Sequence, residues 1–482
     1  MKVLLINSNR ELAPWPIIPT GICRVATALD SAGIEVKMLD LTFSEVPQRD
    51  VKETIKSFQP GAIGLSIRNI DDVDTRRMRF YIPEIKEQVV APLKEVAPDT
   101  PFVLGGSAVG VAPKLLLDFL GADLAVAGDG ERAAVRVFQA LGKGEDPKSI
   151  AGTIAPDGKG GLIVNPPDRI EELNEFPHSK AYKWIDAKRY ASYGTRYGIQ
   201  TKRGCDRTCT YCSYPNLEGR SYRLFDPVSV VDEIEDVYKQ SGVDRFEFVD
   251  STFNIPRDHA VGILKELAKR KLPVGLDTMG LNPFAVDKEL VQAMKDAGFT
   301  ETSCTPESGS PRIIKALGKQ FTTEQVAQAA KVLQEANMPT KWYFMFGAPG
   351  ENAETIKETF AFIDEHIPPT DLVIVMTGIR VFPGTPLEKA CRKEGLVKDD
   401  NDLFEPFWIY GELTCERLQE LVAVEVNKRP KCCHASGELW NYPWLMKFLH
   451  GAFTTLGLKS TGWNIVRAIN TVRKLWRPTE AK

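Results

Sequence analysis

An α/β chain with two successive parallel-sheet domains is predicted by three observations. Apolar strands alternate with helical patterns over residues 1–150, the same rhythm returns for five or six units over 195–390, and it stops after Pro386. The segment between, 151–194, is rich in Gly, Pro and charge and reads as a linker or strap. Residues 391–482 read as a helical appendage.

The N-terminal elements follow in order. "KVLLINSN" is a short apolar run ending in polar loop residues, "TGICRVATALDSAG" is helical and "EVKMLDL" is a second strand. "GAIGLSIRNIDD", "TPFVLGGSAVG" and "ADLAVAGDGE" each pair an apolar run with a loop. Continuous apolar strands indicate a parallel sheet covered on both faces, and such sheets bind ligands beyond their strand carboxyl ends. The loops there are Asn7–Pro19, Ser66–Asp72, Gly105–Gly110 and Gly128–Glu131. Gly105 and Gly106 either let a ligand approach the backbone or only make a tight turn. No Gly-x-Gly-x-x-Gly follows the first strand.

The second domain opens on "IQTKRGCDRTCTYCSYP". Cys205, Cys209 and Cys212 lie on one tight loop. Three thiolates can hold three corners of a cubane iron–sulfur cluster and leave the fourth iron open to a small molecule. Structural zinc or plain buried thiols are the alternatives, but zinc wants four protein ligands and no second cysteine pair lies nearby. The later units "DRFEFVDSTFN", "LPVGLDTMG", "TETSCTPESGS" and "TKWYFMFGAPGE" each precede a helical pattern, and "DLVIVMTGIRVFPGTP" follows them. With the cysteine strand they make six parallel strands of a partial (β/α)6 barrel, whose chemistry collects at the strand carboxyl ends.

"KRGCDRTCTYCS", "PESGS", "FGAPGE" and "FPGTP", in that order, resemble the radical S-adenosylmethionine (radical SAM) superfamily. The resemblance implies a [4Fe–4S] cluster on Cys205, Cys209 and Cys212 that chelates S-adenosylmethionine through its open iron. It implies that Tyr211 lies against the adenine, that Glu307 and Ser308 meet the methionine moiety and ribose, and that Gly347, Pro349 and Gly350 run near the adenine. The superfamily often has Gly-Gly-Glu after the second strand; here Val249-Asp250-Ser251 stands there, with Asp250 in the acid's place. Asp277 faces the substrate or caps a helix on this reading.

The first domain resembles the Rossmann-like (flavodoxin-like) cobalamin-binding domain found ahead of many such enzymes, through Pro16–Gly21, "LSIRN", "LGGSAVG" and "GDGE". Ser66, Arg68, Gly105, Gly106 and Glu131 are the residues this places toward cobalamin, with Arg68 or Asn69 near its lower face. The wider family's Asp-x-His-x-x-Gly is absent: the loop reads Asn7-Ser8-Asn9-Arg10-Glu11, with no histidine to ligate cobalt. The implied activity is a 5′-deoxyadenosyl radical used for carbon methylation of an unactivated centre. Oxidative cyclisation or rearrangement without methyl transfer is the alternative, and a non-catalytic cluster- or corrinoid-binding protein is the alternative of another class. The partners implied are a small-molecule or lipid substrate and an electron donor such as flavodoxin or ferredoxin.

Bulk properties narrow the setting. A net charge of −3 over 482 residues argues against a nucleic-acid binder driven by positive charge. Nine cysteines in a long chain are not the pattern of a disulfide-stapled secreted domain, so a reducing cytoplasm is expected. No stretch of about 20 apolar residues predicts a membrane span. "KCCHASGE" groups Cys432, Cys433 and His434, either as a second metal site or as ordinary reduced residues. Residues 441–482 carry Lys447, Lys459, Arg467, Arg473, Lys474, Arg477 and Lys482 against one acid, Glu480. Ile465, Ile469, Val472 and Trp476 fall on one helical side, the pattern of a surface-lying membrane helix or of a helix packed on the barrel.

Overall fold

The computed structural model describes residues 1–13, 15–398, 403–435 and 442–456. The first sheet holds β1 (Lys2–Asn7), β2 (Glu35–Asp40), β3 (Ala62–Ser66), β4 (Phe102–Gly105), β5 (Leu124–Val126), β6 (Thr153–Pro156) and β7 (Leu162–Val164) in the order β2-β1-β3-β4-β5-β6-β7. The first five strands are parallel. Residues Val3–Asn7 and Ala62–Leu65 are buried, as a sheet covered on both faces requires. The strand order reverses between β1 and β3, which opens a crevice beyond Asn7 and Ser66. The sheet does not stop at residue 150: β6 and β7 extend it as antiparallel strands, so the first part of the expected strap belongs to this domain.

The second half is a wall of parallel strands. β8 (Tyr197–Ile199), β11 (Arg245–Phe248) and β12 (Gly275–Thr278) form one sheet, and β13 (Thr302–Glu307), β14 (Thr340–Phe346), β15 (Leu372–Thr377) and β18 (Cys432–His434) form another. Parallel bridges Leu276–Phe299 and Leu281–Cys304 join them. Two short antiparallel ladders stand at the wall's rim: β9 (Lys202–Arg203) with β10 (Arg223–Leu224), and β16 (Ile379–Arg380) with β17 (Trp408–Ile409).

Helices cover the wall's outer face for local reasons. The helix Pro227–Ser241 starts with Pro at its first position and Asp226 as cap, whose carboxylate accepts from Val228 N at 2.9 Å and Ser229 N at 3.2 Å. Val230, Ile234 and Val237 recur at helical spacing and are buried, and Gly242 ends it in the left-handed region. Asp226→Ala would cost about 1 kcal/mol.

The C-terminal appendage is not purely helical. Cys432–His434 pairs parallel with Val373–Val375 of β15 and extends the wall. Alternation along a strand sends Cys433 to the opposite face from Cys432 and His434, so the three do not converge. Among the described residues no three His, Cys, Asp or Glu side chains gather about a single-ion site. The amphipathic pattern at 465–476 lies outside the described residues.

The N-terminal domain closes the wall's open side. Thr195, beside β8, donates to Pro16 O at 2.6 Å, and Trp15 packs against Leu372 and Ile374 of β15. The loop after β1 thus reaches from the β8 edge of the wall across to β15 and, through the same apolar cluster, Cys433 of the edge strand β18. Buried ion pairs pin the domains elsewhere: Arg24–Glu233 at 2.8 Å and Arg380–Asp71 at 3.0 Å.

Candidate active site

The carboxyl ends of the two sheets face each other across a cavity of about 850 Å³. From the first sheet it is lined by Ser66, Arg68, Gly105, Gly106 and Glu131. From the second it is lined by Cys205, Cys209, Tyr211, Cys212, Asp250 and Glu307. Ligand sites of α/β sheets lie at these ends, and here two of them share one chamber.

The cysteine loop is held at its base by the β9–β10 ladder, and Cys205 N donates to Gly219 O at 3.0 Å. Gly204 sits at φ 94, and a Cβ there would lie 2.0 Å from Ser221 O, so only glycine lets the loop leave the ladder. None of the three thiols is in a disulfide, Cys205 is buried and the others are half-buried. Burial pushes the Cys212 thiol up to about 12 and raises that of Cys209. Ligation would therefore release protons from these groups.

Above the cysteines stands a triad that the motifs name only in part. Tyr211 Oη donates to Glu307 Oε1 at 3.0 Å, and Lys319 Nζ donates to Tyr211 Oη at 3.0 Å and to Glu307 Oε1 at 3.2 Å. Burial opposes the charge on Lys319, but Tyr211 and Glu307 outweigh it and hold the ammonium well above its ordinary value. Glu307 occupies the left-handed region at φ 68, a strained position for a non-glycine residue at a strand end. Lys319 lines the cavity too. Its signal in the sequence is only a basic residue following the helix after "PESGS".

Comparisons with known proteins decide the family. Residues 199–363 match the Radical SAM superfamily and residues 13–138 match the B12 binding domain. The chain belongs to the radical SAM superfamily. It carries a B12-binding domain ahead of the radical SAM domain. It is 26% identical over 372 residues to an uncharacterized methyltransferase of Pyrococcus horikoshii, covering 75% of this chain and 77% of the relative. It is 29% identical over 380 residues to the anaerobic magnesium-protoporphyrin IX monomethyl ester cyclase of Rubrivivax gelatinosus, covering 75% of this chain and 65% of the cyclase. The solved radical S-adenosylmethionine methyltransferase TsrM of Kitasatospora setae shares the fold at a TM-score of 0.84 and 21% identity, covering 99% of this chain and 100% of TsrM. The chain is a radical SAM enzyme, and its cofactors are a [4Fe–4S] cluster, S-adenosylmethionine and cobalamin.

The residues of the radical SAM domain fit the cluster: three thiols on one loop, none in a disulfide, face one chamber. The B12-binding domain fits a large planar group by its backbone. Gly106 packs so closely on Ile67 that a Cβ would lie 2.3 Å from Ile67 O, while a Cβ on Gly105 would meet no protein atom within 4 Å. Arg68 lines the chamber with an accessible side chain, and desolvation by the surrounding protein still lowers its pKa. Among the described residues no carboxylate pairs with it.

Other predicted residues sit differently. Glu131 lines the chamber, but its carboxylate is clasped by Arg203 of the cysteine strand, with Nη1 to Oε2 at 3.1 Å and a second, shorter contact. Asp250 accepts from Thr201 N at 2.8 Å, Thr201 Oγ1 at 2.6 Å and Lys202 Nζ at 3.2 Å, so it braces the cysteine strand. Ser308 is buried against Thr359, with the two hydroxyls 3.0 Å apart, and does not line the chamber. Gly347, Pro349 and Gly350 form a turn outside it, with Gly347 N donating to Glu351 at 3.3 Å. Asp277 neither caps a helix nor lines the chamber: it is buried on β12 in ion pairs with Lys341 and, at 3.2 Å, Arg196.

Proposed function

We propose that this chain is a cobalamin-dependent radical SAM C-methyltransferase that acts on an unactivated carbon of a small organic molecule. The observation that carries the reading is the single chamber shared by the cysteine triplet and the Gly105–Gly106 turn. When bound, the cluster with S-adenosylmethionine supplies radical chemistry and cobalamin supplies methyl carriage, neither of which acid–base side chains provide.

The chain's own residues bind, orient and enclose. Cys205, Cys209 and Cys212 would hold the cluster. Tyr211, Glu307 and Lys319 present an anion and a cation side by side, suited to the ammonium and carboxylate of S-adenosylmethionine. Ser66, Gly105 and Gly106 would face cobalamin, and Arg68 would lie near its lower face. The loop carrying Trp15 closes the lateral gap of the partial (β/α)6 barrel against water. The electron would come from a flavodoxin or ferredoxin, and the site of action would be the cytoplasm. The likeness to the Rubrivivax gelatinosus cyclase supports a second reading, oxidative cyclisation without methyl transfer.

Anaerobic purification with an iron and cobalt count tests the cofactor set. Incubation with dithionite and methyl-labelled S-adenosylmethionine then tests the chemistry. Labelled methyl in an organic product supports methylation. 5′-Deoxyadenosine without methyl transfer supports the cyclase reading. Neither product, from fully loaded protein supplied with extract as substrate source, would leave only a binding protein.

A further inference from the structure

The shared chamber continues past the cofactor residues into the wall, where it reaches Arg196, Gly198, Glu247 and Trp15. A cluster of charged side chains lies there, one layer below the strand ends. Arg196 pairs with Glu301 and, at 3.2 Å, with Asp277, while Lys341 pairs with Asp277 and, at 3.7 Å, with Glu301. Those four side chains are 1–6% exposed, and their two cations balance their two acids. Arg245, on the same strand as Glu247, also acts on Arg196 and Glu301, so the network extends beyond these four.

Glu247 is the remaining acid. It touches those four at one point, 3.5 Å from Arg196 Nη1, and its side chain is 16% exposed, toward the chamber. Its neighbour in register on one side is Asp277 and on the other Gly198, which has no side chain to cover it. Tyr343 of β14 also faces this acid, and Trp15 lies 5.9 Å from the Arg196 guanidinium.

We propose that Glu247 is a substrate-recognition residue, and that the substrate carries a basic nitrogen held as an ammonium against this carboxylate. This names the substrate class of the reading above and rests on it. The argument is one of charge and access. Among the described residues the ion-pair partner of Glu247 is Arg196, at the long distance of 3.5 Å, and an ammonium entering beside Gly198 would give the carboxylate a second, closer partner. Burial pushes the Glu247 carboxyl up to about 7, with Arg196 opposing and the Asp277 charge adding to the rise. A carboxylate substrate would bring a second acid to Glu247 and be rejected.

The test uses the anaerobically reconstituted full chain and equilibrium dialysis of matched probes: tryptamine, phenethylamine and agmatine against tryptophol, phenethyl alcohol and indole-3-propionate. A charge-assisted contact predicts that at least one amine is retained over its alcohol or acid counterpart by about tenfold or more. The preference is predicted to collapse in Glu247→Gln, which keeps the shape, and to persist in Glu289→Gln, an exposed control far from the chamber. No amine preference in the loaded wild type, or the same preference in Glu247→Gln, overturns the proposal. Melting curves of Glu247→Gln separate lost recognition from lost folding, and a misfolded variant is replaced by Gly198→Ala, predicted to weaken amine retention by narrowing the approach. The two readings fail separately: protein without iron and cobalt sinks the methyltransferase, whereas loaded protein without amine preference sinks this assignment alone.

Discussion

Arg203, on the strand that leads into the cysteine loop, is held by Glu131 of the B12-binding domain, and both side chains are buried. Asp129 of the same "GDGE" segment reaches Arg203 at 3.2 Å and also pairs with Arg223 of the opposing strand β10. The two strands that carry the cysteine loop are thus both tied to the neighbouring domain.

This clasp predicts an acid-sensitive domain junction. Burial works against the Glu131 charge, but Arg203 outweighs it and lowers the pKa from 4.5 to about 2. A depressed carboxylate stabilises fully above its ordinary value, and the contribution is lost as pH falls from about 4.5 toward about 2. Glu131→Gln should cost about 3 kcal/mol, since Asp129 still partners Arg203. The double change Glu131→Gln with Arg203→Met should recover part of that loss, because no buried cation is then stranded. Chemical denaturation of the four proteins checks it; equal stability of wild type and Glu131→Gln would show that the clasp carries nothing.

The triad predicts the affinity for S-adenosylmethionine. Lys319→Met removes the cation beside Glu307 and should weaken binding to the reconstituted protein by about tenfold to a hundredfold. Tyr211→Phe keeps the ring and loses only the phenol link, so its effect should be less than about tenfold. Calorimetric titration with S-adenosylmethionine reads both. Unchanged affinity in Lys319→Met would place the methionine carboxylate elsewhere.

How far these residues were legible depended on how local their signals were. The cysteine triplet is a spacing pattern within one loop, and the places of the longer strands along the chain follow from apolar runs, so both read directly from the chain; the order of strands within each sheet does not. Lys319 joins Glu307 only after a helix has turned the chain back, and no motif marks it. Glu131 was placed toward cobalamin from "GDGE", but its partner Arg203 stands in another domain, and long-range pairing leaves no periodic trace. Strand β18 is three residues long, too short to show a period, so "KCCHASGE" read either as a second metal site or as ordinary reduced residues, and not as the wall's last strand. Glu247 was hidden in "DRFEFVDSTFN", where alternation marks it as facing inward but not what waits there.

The two adjacent glycines predict opposite outcomes. Gly106 lies at φ 93 with a Cβ position 2.3 Å from Ile67 O, so Gly106→Ala should destabilise the domain by about 2 kcal/mol or more. Gly105→Ala meets no protein atom within 4 Å and should leave the melting temperature unchanged, yet it adds a methyl to the chamber lining. If cobalamin lies against this turn, Gly105→Ala lowers the cobalt content while iron and stability stay at wild-type level. Wild-type cobalt in that variant would move cobalamin away from the turn.

The C-terminal helix Pro443–Thr455 predicts contact with a membrane surface. Its Met446, Leu449 and Phe453 pack toward the wall beside Leu372 and Ile374. Its other side leaves Trp444 67% and Phe448 66% exposed, with Leu456 beyond the helix end 73% exposed. Exposed aromatics on one side of a helix suit a surface-lying role. The residues that follow carry Lys459, Arg467, Arg473, Lys474, Arg477 and Lys482, a charge complementary to anionic lipid. The full chain should therefore float with liposomes containing phosphatidylglycerol and sediment free of purely zwitterionic ones. The double change Trp444→Ser with Phe448→Ser should reduce flotation several-fold while leaving the iron and cobalt content intact, because neither side chain lines the chamber. Raising salt from low ionic strength to about 1 M should release the wild type, since the Debye length then shrinks to about 3 Å. Equal recovery in the soluble fraction on both liposome types would assign the exposed face to something other than a membrane.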